Sequence, residues 1–491
     1  MKKKTEVIGR QEEKEILDRF FQSNSPEFMA IYGRRRVGKT YLVKNYFTQK
    51  SCHFFKVTGI HKGTMSQQLA EFSNGIGSSF FYGTKIKGKN NWFDAFEVLT
   101  QSIQKQIPRK KKVVLFFDEF PWMATPKSKL LQALEYYWNH YWSEDNRIKL
   151  IICGSAVSWI IKNIIHNKGG LHNRLTRTIL LEPMSLRESK NLLHSMGIKL
   201  NNQQVAQLYM VTGGIPYYLS HVPAGLSDTQ IIERLAFTKN GLFLTEFDKL
   251  YSSLFENAAF YIDIVKAIAS QRYGIDQKTL FEKIKKISGG GTISKKLKEL
   301  EEAGFIISFV PYKNRRKGIF YKVIDEFTLF YLYWIEPIKK TLLKKGTRKG
   351  YWDKTRQTSS WSSWAGYAYE ALCYKHLFQI SEALELSPTA LPSTWQYIPK
   401  KGSEELGAQI DLLYDRDDGV TTICEIKFTK EPFAINKDYA KRLQNKMEIF
   451  QKRTKTQKQL FLAIVSAKGL KKTMYSEEIV DAVVSLSDLF K

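Results

Sequence analysis

The chain has 491 residues, 43% of them hydrophobic and 25% charged, which excludes a disordered or fibrous protein and leaves room for several domains. Lys and Arg number 76 against 48 Asp and Glu, and the net charge of +28 points to a polyanionic partner, a basic proteome background being the bland alternative. No apolar run is long enough to cross a bilayer, Met1-Lys2-Lys3-Lys4 leads into polar residues rather than a secretory leader, and Cys52, Cys153, Cys373 and Cys424 have neither metal nor disulfide spacing. A cytoplasmic protein without a membrane partner is expected.

The apolar run Phe28–Tyr32 leads into Gly33-Arg34-Arg35-Arg36-Val37-Gly38-Lys39-Thr40, and helix-compatible residues Tyr41–Phe47 follow. This is GxxxxGK[ST] in its strand–loop–helix context. Gly33 and Gly38 let backbone N–H groups approach phosphates, Lys39 would meet the β- and γ-phosphates, and the Thr40 hydroxyl would hold magnesium. ATP and Mg2+ are therefore the expected cofactors. Val113–Phe117 reads as a strand buried on both faces of a parallel sheet and ends at Asp118-Glu119. Asp118 would reach magnesium through water, and Glu119 would polarise the attacking water. A third such strand, Leu150–Cys153, ends at Gly154-Ser155, where Ser155 is either a sensor of the γ-phosphate or a helix N-cap.

Residues 182–255 alternate amphipathic runs with short turns and read as a helical lid. Next come helices over Ala258–Ser270, Gln277–Ile287 and Thr292–Ala303, with Gly289-Gly290-Gly291 before the third, then strands Phe305–Phe309 and Ile319–Val323. That order is a winged helix-turn-helix. Its third helix would present Ser294, Lys295 and Lys298, and its wing Lys313, Arg315, Arg316 and Lys317, to DNA or, as in other ATPases, to protein. Lys339–Arg356 is basic and interrupted by glycines at 346 and 350, and reads as a linker able to touch nucleic-acid backbone or merely as a solvated charge run.

In the last segment, Ser363–Gln379 is helical and carries Glu370. Thr394–Ile398 is a strand, and the apolar runs Ala408–Tyr414 and Val420–Phe428 flank Asp415–Gly419, an Asp-Gly hairpin signal. Glu425 and Lys427 are two apart on one strand and share a face. The hairpin can bring Asp411 beside Glu425. A helix over Ala440–Gln451 and a strand Leu460–Ser466 complete the order αβββαβ. Two carboxylates and an ammonium at one sheet edge suit divalent-metal phosphodiester cleavage, and a solvent-facing charged hairpin is the plain alternative.

With these motifs in place, the chain resembles an archaeal-type AAA-like P-loop ATPase family that carries a C-terminal nuclease-like domain. Ile8-Gly9-Arg10, the phosphate loop, FFDEFPW, ICGSAVSWI, LHNRLT, GGIPYYL and IDLL…EIK carry the resemblance. It implies an α/β fold in five parts: ATPase core 1–180, helical lid 181–255, winged helix 256–336, basic linker 337–360 and a PD-(D/E)-x-K-like domain 361–491. It implies that Gly9 and Arg10 lie beside the base, that Arg174 stabilises charge on the γ-phosphate or is one more solvated cation, and that Pro216 of Gly213-Gly214-Ile215-Pro216 packs on nucleotide. Matched to the nuclease pattern, Asp411 and Glu425 would be metal ligands, Lys427 would orient water, and Glu370 would be an optional ligand or water positioner. The pattern's proline is missing, since Gln409-Ile410 precedes Asp411. No arginine of the usual lid type stands beside Pro216, which points to a monomer or dimer rather than a hexameric motor. DNA is the expected partner.

Overall fold

The computed structural model describes residues 6–166, 169–171, 173–285, 293–312, 318–399, 402 and 405–491. Gly289–Gly291 and Lys313, Arg315, Arg316 and Lys317, expected as a wing, lie outside them. The chain divides into two compact units, Met1–Pro183 and Met184–Lys491. Among the described residues no helix is long and apolar enough to cross a membrane.

The first unit is built on five parallel strands: β1 (Glu27–Tyr32), β2 (His53–Thr58), β3 (Val113–Asp118), β4 (Ile148–Gly154) and β5 (Arg177–Leu180), in the spatial order β2-β3-β4-β1-β5. The three continuous apolar runs form the centre. Every residue of β3 and β4 is buried, as a strand covered on both faces requires. The edges β2 and β5 escape a reading by apolar runs, because their outward residues, such as Lys56 and Arg177, stay polar. Helices Met65–Phe80 and Trp92–Gln106 cover one side through an aromatic core of Phe55, Phe72, Trp92, Phe96, Phe117 and Trp142. Phe96 and Phe117 stack at 5.9 Å with rings only 4° from parallel. Burying each such ring stabilises the unit by roughly 2–3 kcal/mol, so the layer fixes where the C-terminal ends of β1, β3 and β4 meet.

The second unit opens with helices Leu186–Ser195, Asn202–Thr212, Pro216–Leu219, Asp228–Ala236 and Phe243–Leu254. Three of them start in capping boxes, Ser185 with Glu188, Asn201 with Gln204 and Ser227 with Gln230. Helix Ala258–Ala269, strand β6 (Ile275–Asp276), helices Gln277–Lys285 and Ile293–Glu302, and strands β7 (Ile306–Phe309) and β8 (Phe320–Val323) follow, the strands ordered β6-β8-β7. The stretch expected as a basic linker instead folds into helices Lys339–Lys345 and Tyr351–Thr355. Its apolar residues account for this: Leu342 and Trp352 are buried, and Trp352 stacks on Phe237 at 5.0 Å. The glycines stand at the ends of the two helices, Gly346 closing one and Gly350 opening the other at positive φ.

The C-terminal sheet contains β9 (Leu391–Tyr397), β10 (Ala408–Asp415), β11 (Val420–Lys427), then, after the two-residue β12 (Phe433–Ala434), β13 (Gln459–Ser466), with β15 (Ala482–Ser485) following the short β14 (Leu470–Lys471). Its order is β15-β13-β11-β10-β9. β10 and β11 form the expected antiparallel hairpin, with Gly419 at φ 83° in the turn, and β13 runs parallel to β11. β15 extends the sheet beyond the expected αβββαβ order. Helices Ser359–Lys375 and Lys437–Thr454 both reach this sheet, so Thr421–Ile426 of β11 are buried without interruption.

Candidate functional site

Two constellations stand out, one in each unit. In the first, the loop from Gly33 to Gly38 joins β1 to the helix Lys39–Phe47. Gly33 adopts φ 145°, and a Cβ there would sit 2.3 Å from the Leu181 carbonyl oxygen, so only glycine lets the loop leave the sheet at this point. Lys39 is 5% exposed and its ammonium donates to the carbonyls of Gly33 at 2.8 Å and Arg34 at 2.9 Å, and to Ser155 Oγ at 3.2 Å. These are neutral acceptors, which an anionic phosphate oxygen can replace. Thr40 Oγ1 donates to both carboxylate oxygens of Asp118 at 2.9 Å. Asp118 also pairs with Lys56 Nζ at 3.1 Å, from the edge strand β2. Glu119, in the left-handed region at φ 47°, accepts from Ser155 N at 2.9 Å and Ser155 Oγ at 2.5 Å. Ser155 thus joins the phosphate-loop lysine to the acid at the end of β3.

Arg10 is buried and donates to the carbonyls of Val37 at 3.3 Å and Glu182 at 2.7 Å, and it pairs with Glu13 at 3.3 Å. It braces the phosphate loop from behind. Gly9 beside it has φ 68°. Arg174 is exposed in the turn before β5. Pro216 opens a short helix in the second unit, after Gly213 and Gly214 at φ 61° and 68°. A Cβ on Gly214 would strike the Met184 carbonyl at 2.1 Å, so this turn also admits only glycine.

The second constellation gathers Glu370, Asp411, Glu425 and Lys427. Leu412 pairs with Cys424 across the hairpin, which sets Asp411 and Glu425 against each other one step further on. Tyr374, on the same helix as Glu370, donates its hydroxyl to the Asp411 carbonyl, tying helix to strand. Glu425 is 4% exposed, and its carboxylate is fully engaged: Oε1 meets Lys427 Nζ and Tyr439 Oη, each at 2.6 Å, and Oε2 meets Lys446 Nζ at 2.6 Å. Burial alone would push the Glu425 carboxyl up, but Lys446 and Lys427 reverse this and bring it to about 2. Lys427 is correspondingly held above the ordinary lysine range, Glu425 overcoming the effect of burial. Asp411 accepts from Gln409 Nε2 at 2.6 Å, and burial and the nearby Glu425 raise its carboxyl. Glu370 is pushed up to about 7, first by burial and then by Asp411, against the pull of Lys322 and Lys427. Among the described residues no three acidic, His or Cys side chains cluster closely enough to cage an ion by themselves.

Three residues of this site lie outside the acid–lysine spacing. Tyr439 and Lys446 are seven apart, on one face of the helix Lys437–Thr454, which lays them on the sheet. Lys322 reaches Glu370 Oε2 at 3.2 Å from β8. Its sequence signal is a lone lysine inside the apolar strand Phe320–Val323.

Buried strands, a glycine-rich loop at the C-terminal end of β1 and an acid at the end of β3, one strand removed across β4, define a P-loop nucleotide-hydrolase domain. Residues 8–222 match the family described as an ATPase domain predominantly from Archaea, and the chain thus carries an archaeal-type ATPase domain that binds and hydrolyses ATP. An uncharacterized protein of Methanocaldococcus jannaschii is 24% identical over 390 residues, covering 77% of this chain and 79% of that protein. An uncharacterized ATP-binding protein of the same organism is 44% identical over 43 residues, covering 9% of this chain and 73% of the relative. Among solved structures, a Walker-type ATPase of Pyrococcus abyssi shares 18% identity at a TM-score of 0.45, over 66% of this chain and 95% of that one. The Aeropyrum pernix ORC2 protein, solved in ADPNP–ADP complexes, shares 14% at a TM-score of 0.43, over 69% and 95%.

Proposed function

We propose that the chain is an ATP-dependent nucleic-acid-processing protein in which the nucleotide state of the ATPase domain licenses magnesium-dependent phosphodiester cleavage by a nuclease-like C-terminal domain. The observation that carries this reading is the convergence of Asp411, Glu425, Lys427 and Glu370 on one face of the β10–β11 hairpin, inside the C-terminal sheet. The segment Ala258–Val323 serves as a winged helix, and with the charge of +28 it supports DNA as partner.

At the nucleotide site, the Thr40 hydroxyl and Asp118 carboxylate supply the hard oxygen donors that magnesium prefers, and Lys39 neutralises the phosphates. Glu119 positions the attacking water once its contacts with Ser155 loosen, so Ser155 reports on the γ-phosphate through both partners. Arg174 is available to the γ-phosphate from its exposed turn, Gly9 and Arg10 shape the rear of the loop, and Pro216 serves as a nucleotide-sensing turn. At the C-terminal site the donor set also fits a divalent ion. Burial first, and then a neighbouring carboxylate, raises Asp411 and Glu370, while Lys322 and Lys427 pull the other way, so a divalent ion would have to displace part of this pairing. Asp411 and Glu425 would hold magnesium, which supplies a water of lowered pKa and neutralises the scissile phosphate. Lys427 orients that water and offsets charge at phosphorus.

The test is cleavage of single-stranded, duplex and branched DNA with metal and nucleotide varied independently. Metal-dependent cutting that Asp411→Asn and Lys427→Ala abolish, with ATP turnover intact, is expected; cutting that survives both variants sinks the assignment. A second reading, a regulatory NTPase that binds DNA or protein on a non-cleaving platform, draws support from the full engagement of Glu425 by Lys427, Tyr439 and Lys446. A monomer or dimer suits either reading.

A further inference from the structure

Lys322 is the most deeply buried cation near the proposed cleavage site. It lies on β8, in the hairpin β7–β8, and not on any element of the C-terminal sheet. It is 4% exposed, its ammonium stands 3.2 Å from Glu370 Oε2, and it lies over the rings of Tyr374 at 4.8 Å and Tyr367 at 5.4 Å. A lysine so buried must be neutralised where it sits, and Glu370 on the helix Ser359–Lys375 provides the charge. Beside the pair is a cavity of about 30 Å3, with Phe309, Phe320 and Lys322 on one wall and Trp395, Gln409 and Asp411 on the other. It has room for about one or two waters, and none for a phosphodiester. On this side Phe309, Phe320 and Lys322 of the hairpin stand across the cavity from Asp411, and the Lys322 ammonium brings to Glu370 the positive charge that a metal would otherwise bring.

We infer that Lys322 and a divalent cation compete for the Glu370–Asp411 carboxylates, so that docking of the β7–β8 hairpin holds the cleavage site shut and metal loading releases it. The inference rests on the reading of these acids as a metal site. An ammonium in contact with Glu370 both occupies one ligand oxygen and repels a doubly charged ion brought to its neighbour. Linkage makes the effect reciprocal: whatever factor docking takes from metal affinity, bound metal takes from docking. The winged segment then does more than deliver DNA. A strand that drew the hairpin away would open the cavity and free the carboxylates in one movement.

The experiment is a manganese titration of the full chain without nucleotide, followed by electron paramagnetic resonance, for the wild type, Lys322→Met, Lys322→Arg and Asp411→Asn. Lys322→Met should bind Mn2+ about tenfold more tightly or better, and Lys322→Arg, which keeps the charge, should stay near wild type. Equal or weaker binding by a folded Lys322→Met overturns the competition. Should Lys322→Met fail to fold, hydrogen exchange on the wild type decides: faster exchange of residues 306–309 and 320–323 under saturating Mn2+ supports the inference, and unchanged exchange refutes it. If Asp411→Asn binds Mn2+ as the wild type does, the metal-site reading falls and takes the inference with it. If Asp411→Asn abolishes binding while Lys322→Met is neutral, the metal site stands and only the competition is lost.

Discussion

The two sites use the same kinds of side chain, lysine and acid, in opposite ways. At the nucleotide site Lys39 rests on two backbone carbonyls and a serine hydroxyl, while Glu119 is held by that same serine. Lysine and acid are kept apart by Ser155, and each can exchange a neutral partner for a phosphate or a water. At the C-terminal site the charges are spent on each other: Glu425 takes both Lys427 and Lys446. The first arrangement stands ready for an anionic ligand. The second has to be pried open by something of higher charge. The difference shows that the identity of catalytic-looking residues says less than which of their partners are replaceable.

The largest effect that sharpens this contrast is expected from Lys39→Ala. ATP turnover, measured by phosphate release, should fall by about a thousandfold or more, with divalent-metal binding at the C-terminal site unchanged. Next, Asp411→Asn should lower metal-dependent DNA cutting by about 100-fold or more while leaving ATP turnover intact; parallel loss of both activities would break the separation of the sites.

The third effect is a pH dependence. The Glu370 carboxyl sits at about 7 in the folded protein, above its ordinary value of 4.5. The folded state therefore binds this proton more tightly than the unfolded chain. Stability is unaffected where both forms are protonated, falls as pH rises from about 4.5, and levels off above about 7. Glu370→Gln removes this loss, so its stability relative to wild type should improve by roughly 2–3 kcal/mol between pH 4 and pH 8 in urea melts. A difference that stays flat with pH refutes the proposed environment. Fourth, Lys446→Met strips one cation from buried Glu425 and leaves Lys427, which should cost roughly 1–2 kcal/mol at neutral pH. The smallest effect belongs to Lys295→Ala. That lysine's side chain is 74% exposed and 3.9 Å from Glu299, and its loss should change stability by no more than about 0.5 kcal/mol. If DNA binding weakens more than stability does, the helix Ile293–Glu302 is the contact surface.

Legibility followed the reach of the interactions. β1, β3 and β4 were readable because strands covered on both faces are unbroken apolar runs. β2 and β5 were not, being edges with polar residues, and with β2 went Lys56, the cation beside Asp118. The hairpin of Asp411 and Glu425 was readable from Asp418-Gly419 between two apolar runs. In the basic stretch 337–360 the glycines and lysines mask Leu342 and Trp352, whose burial makes it part of the packed helices rather than a linker.

Taken alone, the order of residues determined whatever depends on near neighbours in the chain. It gave the phosphate loop from Gly33 to Thr40, whose shape follows from glycine freedom, and the shared face of Glu425 and Lys427, which follows from the two-residue period of a strand. Tertiary structure decided the charge state of those acids. Lys446 lies 21 residues from Glu425 and Lys322 lies 48 from Glu370, and both partners arrive only when separate elements pack together. In a dry interior the field at a carboxylate is set by what packs within a few ångströms, and side-chain pairing across layers leaves no local pattern to read.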